Sequence, residues 1–374
     1  MEEIMKKINI IYRWLLPKKT NILIFSREGS DEIAKYVLRD ISDYAIYDHD
    51  NLSIFFNIFF ISKYIKNIFN TNLKDVSLLK SLYLIYIKTE IQFIKPKIII
   101  TYNDDNYIYH NLINIIDNIE FIAIQNGLRE KFIRKRIKYK INHNHLFCFG
   151  YDDQNKNLSD NWKVKNLYAS GSLRAGVAIS KFKSLHKRYD ICLISEYEPR
   201  KRNDPDNHIW NDHWLRVTEI ISTILKKKNY RVIIALNGGY DYKEQVDYFN
   251  SIFKSQIEFT NLDKELDSYR AIIESDITIG FCSTLLVEAM ALRSKTLQIN
   301  THSDNTYFNF NKIFIHEYIN NDLLEEKIDE LVTTPYKDYF NKIKNYIPEY
   351  MNIDITDLPQ DQIHKKITES MGNT

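Results

Sequence analysis

At 374 residues the chain can hold two domains with separate cores, and 44% apolar against 27% charged residues excludes a disordered chain. A formal charge of only +2 excludes a dedicated nucleic-acid binder with a strongly basic face. Cys148, Cys192 and Cys282 stand far apart with no CxxC pair, which excludes a disulfide framework or a zinc knuckle and leaves buried thiols in a reducing cytoplasm.

The start, Met-Glu-Glu, lacks an uninterrupted apolar region, so no secretory signal is expected, and no run of about 18 apolar residues marks a membrane span. Residues 1–19 alternate apolar positions (Ile4, Ile8, Ile11, Trp14, Leu15) with basic ones (Lys6, Lys7, Arg13, Lys18, Lys19). This pattern predicts a helix that either packs on the core or makes a peripheral membrane contact. Asn21–Phe25 predicts a strand, Ser26-Arg-Glu-Gly-Ser30 a turn without the dinucleotide glycine fingerprint, and Asp31–Arg39 a helix. Tyr44–Tyr47 reads as a strand and Leu52–Phe69 and Leu73–Phe93 as two helices, the first crowded with phenylalanines.

Lys97–Thr101 and Phe121–Ile124 are apolar throughout, as strands of a buried parallel sheet are. Ligands of open α/β sheets lie at strand carboxyl ends. Asp104 and Asp105 after the first of these strands are therefore candidate catalytic carboxylates, although Asp or Asn there would equally cap the helix Tyr107–Ile116. After the second, Gln125, Asn126, Gly127, Arg129 and Glu130 are expected to line one cleft edge, Glu130 as a further catalytic candidate. The basic run Lys131–Lys140 reads as a solvated face or an anionic-acceptor contact. Short strands at Leu146–Phe149 and Asn166–Ala169 lead to Ser170-Gly-Ser-Leu-Arg174, and the basic, aperiodic segment Lys181–Arg188 predicts the domain linker.

The second half repeats the alternation. Strand Asp190–Ile194 ends in the polar loop Ser195-Glu-Tyr-Glu-Pro-Arg200, and helix Ile209–Lys227 returns to strand Arg231–Leu236 and the turn Asn237-Gly-Gly239. Helix Tyr242–Phe253, strand Ile257–Phe259 and helix Leu262–Ile273 then lead to strand Ile277–Ile279, a turn at Gly280, a helix from Ser283 and strand Lys295–Ile299. A strand running through glycine into a helix with Ser283 and Thr284 at its start offers free N–H groups and a positive dipole end to an anion. Glu288 is expected on the Thr284 side, within reach of a ribose; the alternative is an ordinary βαβ unit whose Ser and Thr only cap the helix. Alternating strands and helices in both halves predict an α/β fold of two Rossmann-like domains facing a cleft, residues 1–180 and 189–300, with a helical extension at 301–374.

Ile124-Gln-Asn-Gly127, Gly171-Ser172, Asp190–Glu196 and Ser283-Thr284 with Glu288 resemble the GT-B glycosyltransferases of bacterial capsule and O-antigen biosynthesis. These include transferases for CMP-activated keto-sugars such as Kdo and sialic acids, and the glycerol-phosphate transferases of teichoic acid synthesis. The resemblance implies a nucleotide-sugar donor whose phosphate sits on Ser283 and Thr284, a glycan or lipid-linked acceptor, and a place at the inner face of the cytoplasmic membrane. It departs at two points: Asn126 stands where histidine is frequent, and Asn237-Gly238 where His-Pro is frequent. No paired acidic metal motif of Asp-x-Asp type precedes a donor loop, so transfer without a metal or other cofactor is expected, the leaving phosphate being neutralised by the helix start with Arg200 or Arg174. Glu196, at the end of the second half's first strand, is the preferred base, with Asp104, Asp105 and Glu130 as competitors. Gly280, Ser195 and Asn237 complete the expected donor site. A nucleotide-sugar epimerase, a glycerol- or ribitol-phosphate transferase and a non-catalytic scaffold share the fold-level features and stand as alternatives.

Overall fold

The computed structural model describes residues 9–48, 51–71, 73, 76–128, 141–151, 162–197, 208–253, 257–281, 283–300, 315–317 and 321–372. The chain divides into two compact units: residues 1–126, 137–170 and 357–374 form the first, and residues 127–136 and 171–356 the second. Each is a parallel α/β sheet built on apolar strands.

In the first unit, a ribbon of β1 (Asn9–Arg13) and β4 (Asn51–Phe55) lies apart from the main sheet. The main sheet contains β2 (Ile22–Phe25), β3 (Tyr44–Tyr47), β5 (Ile98–Thr101), β6 (Glu120–Ile124), β7 (Ile141–Cys148) and β8 (Trp162–Ala169), in the order β3-β2-β5-β6-β7-β8. Every pairing is parallel. Ile22–Phe25 and Ile98–Thr101 are buried at every residue, as expected for strands covered on both faces. Thr101 satisfies its buried hydroxyl by donating to the Phe25 carbonyl at 2.9 Å, which ties β5 to β2. The winding reverses between these two strands: β3 lies on one side of β2, and β5 to β8 extend from the other.

The helical segments described before β7 are α1 (Ser30–Glu32, continued by a wider turn over Ile33–Val37), α2 (Ile58–Asn70), α3 (Leu78–Ile94) and α4 (Tyr107–Ile113). Leu23, Phe25, Ile91, Ile99, Tyr109 and Phe121 form the heart of its core. A C-terminal helix, Pro359–Gly372, closes the unit: Asp361 pairs with Arg39 at 2.8 Å and Lys366 with Glu120 at 3.0 Å, and His364 Nδ1 meets the Val37 carbonyl at 2.8 Å.

In the second unit, β9 (Tyr189–Ile194), β10 (Val232–Ala235), β11 (Ile257–Phe259), β12 (Ser275–Gly280), β13 (Lys295–Asn300) and β14 (Ile315–Glu317) pair in the order β11-β10-β9-β12-β13-β14, all parallel. Here the winding reverses between β9 and β12. The helices are α5 (Leu173–Lys181), α6 (His208–Lys228), α7 (Tyr242–Phe253), α8 (Asp267–Ile273), α9 (Thr284–Ala291), α10 (Asn321–Thr333), α11 (Tyr336–Ile343) and the single turn α12 (Ile347–Tyr350). The core joins Ala178, Cys192, Ile233, Ile272, Ala289 and Leu292. Cys148 and Cys192 are buried and joined in no disulfide.

Several expectations change. The described part of residues 1–19 is not helical: Asn9–Arg13 runs parallel to Asn51–Phe55, where Ile10, Ile11 and Tyr12 suit extended backbone. The expected helix Leu52–Phe69 therefore starts late. Asn57 accepts the Phe59 N–H at 3.0 Å and caps α2. Helix α5 clusters with the second sheet, so the chain passes between units at residues 170 and 171 and not at Lys181–Arg188. The final helix clusters with the first unit, whereas residues 301–356 cluster with the second.

Gly29 has φ +68°, and a Cβ there would overlap the buried ring of Tyr102. Gly29→Ala is expected to cost about 2–4 kcal/mol, from left-handed strain plus overpacking, read by urea denaturation. Glu90, buried beneath the ribbon, accepts a hydrogen bond from Tyr47 at 3.0 Å, and burial pushes its carboxyl up to about 7. The folded state thus holds this proton above the unfolded value of about 4.3, so the group's contribution is full below that pH and falls away as pH rises to 7. Glu90→Gln is expected to remove that slope, so that wild type loses about 3 kcal/mol relative to the variant between pH 4 and 8.

Candidate functional site

The β12–α9 turn occupies the carboxyl edge of the second sheet, where the winding reverses. Gly280 is not the expected turn residue: it pairs with Gln298 as the last residue of β12, and its φ is not left-handed. Its value is room, because a Cβ there would come within 3.3 Å of the Ile194 Cδ1 on β9. The turn is made by the next residues. Gln298 Nε2 donates to the Phe281 carbonyl at 2.8 Å, and the Phe281 N–H donates to Glu196 Oε1 at 3.1 Å. Glu196 lies two residues past the end of β9, so this bond spans the reversal point. Ser283 caps α9 by accepting the Leu285 N–H at 3.2 Å, and Thr284 Oγ1 accepts the N–H of Leu128, a residue of the same unit, at 3.2 Å. Ser283 and Thr284 are half-buried at the sheet edge and do not lie beneath packed side chains. An N–H that holds a carboxylate beside a helix start is a group suited to an anion.

Ser195 and Asn237 have internal duties. Buried Ser195 donates to Gln245 Oε1 at 3.1 Å, and the same oxygen accepts the Asn237 N–H at 2.9 Å. Fully buried Gln245 returns Nε2 to the Asn237 carbonyl at 2.8 Å, which fixes the β10 loop against α7. Asn237 Oδ1 accepts the Gly239 N–H at 3.0 Å.

Glu288 is the largest departure from expectation. Its carboxylate is buried and accepts from the Tyr269 hydroxyl at 2.8 Å and from the Ser172 hydroxyl. Ser172 also accepts the Ala175 N–H at 3.3 Å, so one hydroxyl caps α5 and donates to α9. Burial raises the Glu288 carboxyl above the usual carboxylate range, while the two hydroxyl bonds and the Arg174 charge pull the other way. Its geometry joins α5, α8 and α9 and leaves no open face for a ribose. The four-residue spacing from Thr284 gave the helix but not the Tyr269 and Ser172 side chains that cover Glu288.

The first unit has a comparable edge at its own reversal point. Glu28, which the sequence did not single out, receives the Asn103 amide on Oε2 at 3.1 Å and the Asn126 amide on Oε1 at 3.1 Å. These amides follow β5 and β6, and Glu28 follows β2; three strand ends meet on one exposed carboxylate. The signal was present in Ser26-Arg-Glu-Gly29: Ser26 Oγ accepts the Glu28 N–H at 3.2 Å and turns the chain there. Asp104 is buried and accepts the Asn126 N–H at 3.4 Å, while its carbonyl meets His110 Nε2 at 2.9 Å. Asp105 is half-buried beside it. The helix cap in this loop is Asn106, which accepts the N–H groups of Ile108 and Tyr109 at 2.9 and 3.1 Å. Gln125 is buried and accepts the Phe149 N–H at 3.1 Å. Gly127 is half-buried and clusters with the second unit, as does half-buried Arg174. Arg129, Glu130, Arg200 and the basic run Lys131–Lys140 lie outside the described residues.

Two all-parallel α/β units, each with polar groups gathered where its winding reverses, define the GT-B class of fold. Solved structures agree in fold. A putative UDP-N-acetylglucosamine 2-epimerase from Listeria monocytogenes matches with a TM-score of 0.55 at 11% identity, covering 96% of this chain and 97% of its own. The UDP-GlcNAc 2-epimerase of Neisseria meningitidis, solved bound to UDP-GlcNAc, matches with a TM-score of 0.51 at 11% identity, covering 98% and 100%. No curated protein matches the sequence. A family model described as putative O-antigen biosynthesis protein matches residues 122–367, and the chain belongs to that family.

Tyr269→Phe removes one donor from the buried Glu288 carboxylate and is expected to destabilise the protein by about 1–3 kcal/mol in urea denaturation.

Proposed function

We propose that this chain is a glycosyltransferase of surface-polysaccharide synthesis. It moves a sugar from a CMP- or UDP-activated donor to a glycan or lipid-linked glycan, without a metal. The observation that carries the reading is the Phe281 N–H, which already holds an anion, the Glu196 carboxylate, at the reversal point of the second sheet. The donor phosphate takes that N–H and the start of α9, with Ser283 and Thr284 lending hydroxyls and Arg174 or Arg200 lending charge. Helix-terminal N–H groups and the dipole then stabilise the negative charge that develops on the leaving phosphate. Displaced from Phe281, Glu196 becomes the base: the acceptor hydroxyl gives its proton to the carboxylate as its oxygen bonds to the anomeric carbon. The bond from that carbon to the phosphate oxygen breaks, and its electron pair leaves with the nucleotide. A nucleotide-sugar, UDP-GlcNAc, is also bound in the Neisseria meningitidis structure of like fold.

The test is a panel of CMP-, UDP- and GDP-sugars, scored first by thermal shift and then by product. One nucleotide-sugar class is expected to stabilise the protein, with sugar transfer on adding acceptor. Glu196→Gln is expected to keep donor binding, because a negative charge has left the phosphate site, and to slow transfer by about a hundredfold or more. Turnover of the sugar itself without acceptor would make the protein an epimerase, and transfer of a phosphoryl polyol from a CDP donor a phosphotransferase. No thermal response to any nucleotide would leave a scaffold.

A further inference from the structure

The first unit turns large apolar side chains outward. Just past the end of β1, Trp14 is 73% exposed and Leu15 83%, near exposed Tyr12 on the ribbon. Phe56 stacks near Tyr12 and Trp14 with ring centres at 5.6 and 5.3 Å, so the strand end and the chain entering α2 form one surface. Helix α2 continues it. Ile58, Ile61, Ile65 and Phe69 recur at helical spacing on its exposed side, with Phe59 70% and Phe69 84% exposed. Its inward side carries Phe60 but also Asn67, whose amide donates to Thr89 at 2.8 Å and to Gln92 at 3.0 Å. Asn67 is held inside while Phe59 and Phe69 stay outside, which leaves an apolar surface on the outer face of α2 of the kind that marks an interaction site.

Charge selects the occupant. Segments 9–20 and 56–71 contain Arg13, Lys18, Lys19, Lys63 and Lys66 and no aspartate or glutamate. A second copy docking through the same face would set these cations against their own symmetry mates. A bilayer surface with anionic headgroups accepts them, while Trp and Tyr take the interfacial depth and Phe and Ile reach the acyl boundary. No described helix is long and apolar enough to cross a membrane, so the contact lies in the plane of the surface.

We propose that the β1 ribbon and the outer face of α2 form a docking surface for anionic membranes. The assignment stands on the first unit alone and is independent of the proposed reaction.

The test is vesicle flotation of the full chain, with phosphatidylcholine alone or mixed with phosphatidylglycerol, alongside sedimentation to read the oligomeric state. The wild type is expected to float with the anionic vesicles, at least about tenfold better than with neutral ones, and to release at high salt. Phe59→Ser with Phe69→Ser is expected to abolish flotation, and Lys63→Glu with Lys66→Glu to abolish the preference for anionic lipid. Phe59, Phe69 and Lys66 are exposed and Lys63 is half-buried, so circular dichroism and Tm are expected to stay close to those of the wild type. A wild type that floats with neither vesicle overturns the proposal; if it is also a dimer that the double serine variant dissociates, the face joins two copies. Flotation unchanged by the double serine variant likewise overturns it.

Discussion

A parallel sheet built by winding outward in both directions leaves a gap at the carboxyl ends of its two central strands, because their following segments depart to opposite sides. The polar groups in that gap cannot be satisfied by the ladder and must find one another or a ligand. In the second unit a hydrogen bond from the Phe281 N–H to Glu196 at 3.1 Å bridges the gap. In the first, Glu28 bridges the corresponding place with Asn103 and Asn126. Both carboxylates follow the strand at the reversal and share a local device: a preceding serine, Ser195 or Ser26, accepts the N–H two residues on. The shared solution follows from the shared topology.

The second unit adds electrostatic direction. Ser283 satisfies one N–H of α9, but the dipole of the helix still favours negative charge at its start. Glu196 supplies that charge in the protein described here, and a phosphate is a denser anion of the same sign. The frame holding the turn is rigid for reasons visible in its bonds: Gln298 grips the Phe281 carbonyl, Gly280 lets β12 approach β9, and the Glu288 cluster fixes the far end of α9. A buried carboxylate with two hydroxyl donors is costly if any partner is lost, which suits it to setting geometry more than to meeting substrate.

What was legible in the sequence followed from local chemistry. Uninterrupted apolar runs such as Ile98–Thr101 and Ile22–Phe25 declared buried parallel strands, and Ser283 declared the start of α9. What was not legible depended on partners far along the chain. Glu28 acquires meaning only when Asn103 and Asn126 arrive, 75 and 98 residues on. Glu288 looked like a ligand-facing residue because spacing within a helix says nothing of what packs above it, and Tyr269 and Ser172 cover it. Asn9–Arg13 alternates like an amphipathic helix, yet its β-branched and aromatic residues became a strand once Asn51–Phe55 offered a parallel edge. Asp104 and Asp105 follow a strand end, and the cap expected of an Asp or Asn in that loop is Asn106.

The account rests on the Phe281 amide being an anion site that Glu196 keeps filled until a donor arrives. A crystal structure of the protein with the nucleotide-sugar that stabilises it most would test this directly. The account predicts a donor phosphate oxygen within about 3 Å of the Phe281 nitrogen, with the Glu196 carboxylate moved off it. A bound nucleotide lying elsewhere, with Glu196 still accepting the Phe281 N–H, would contradict it.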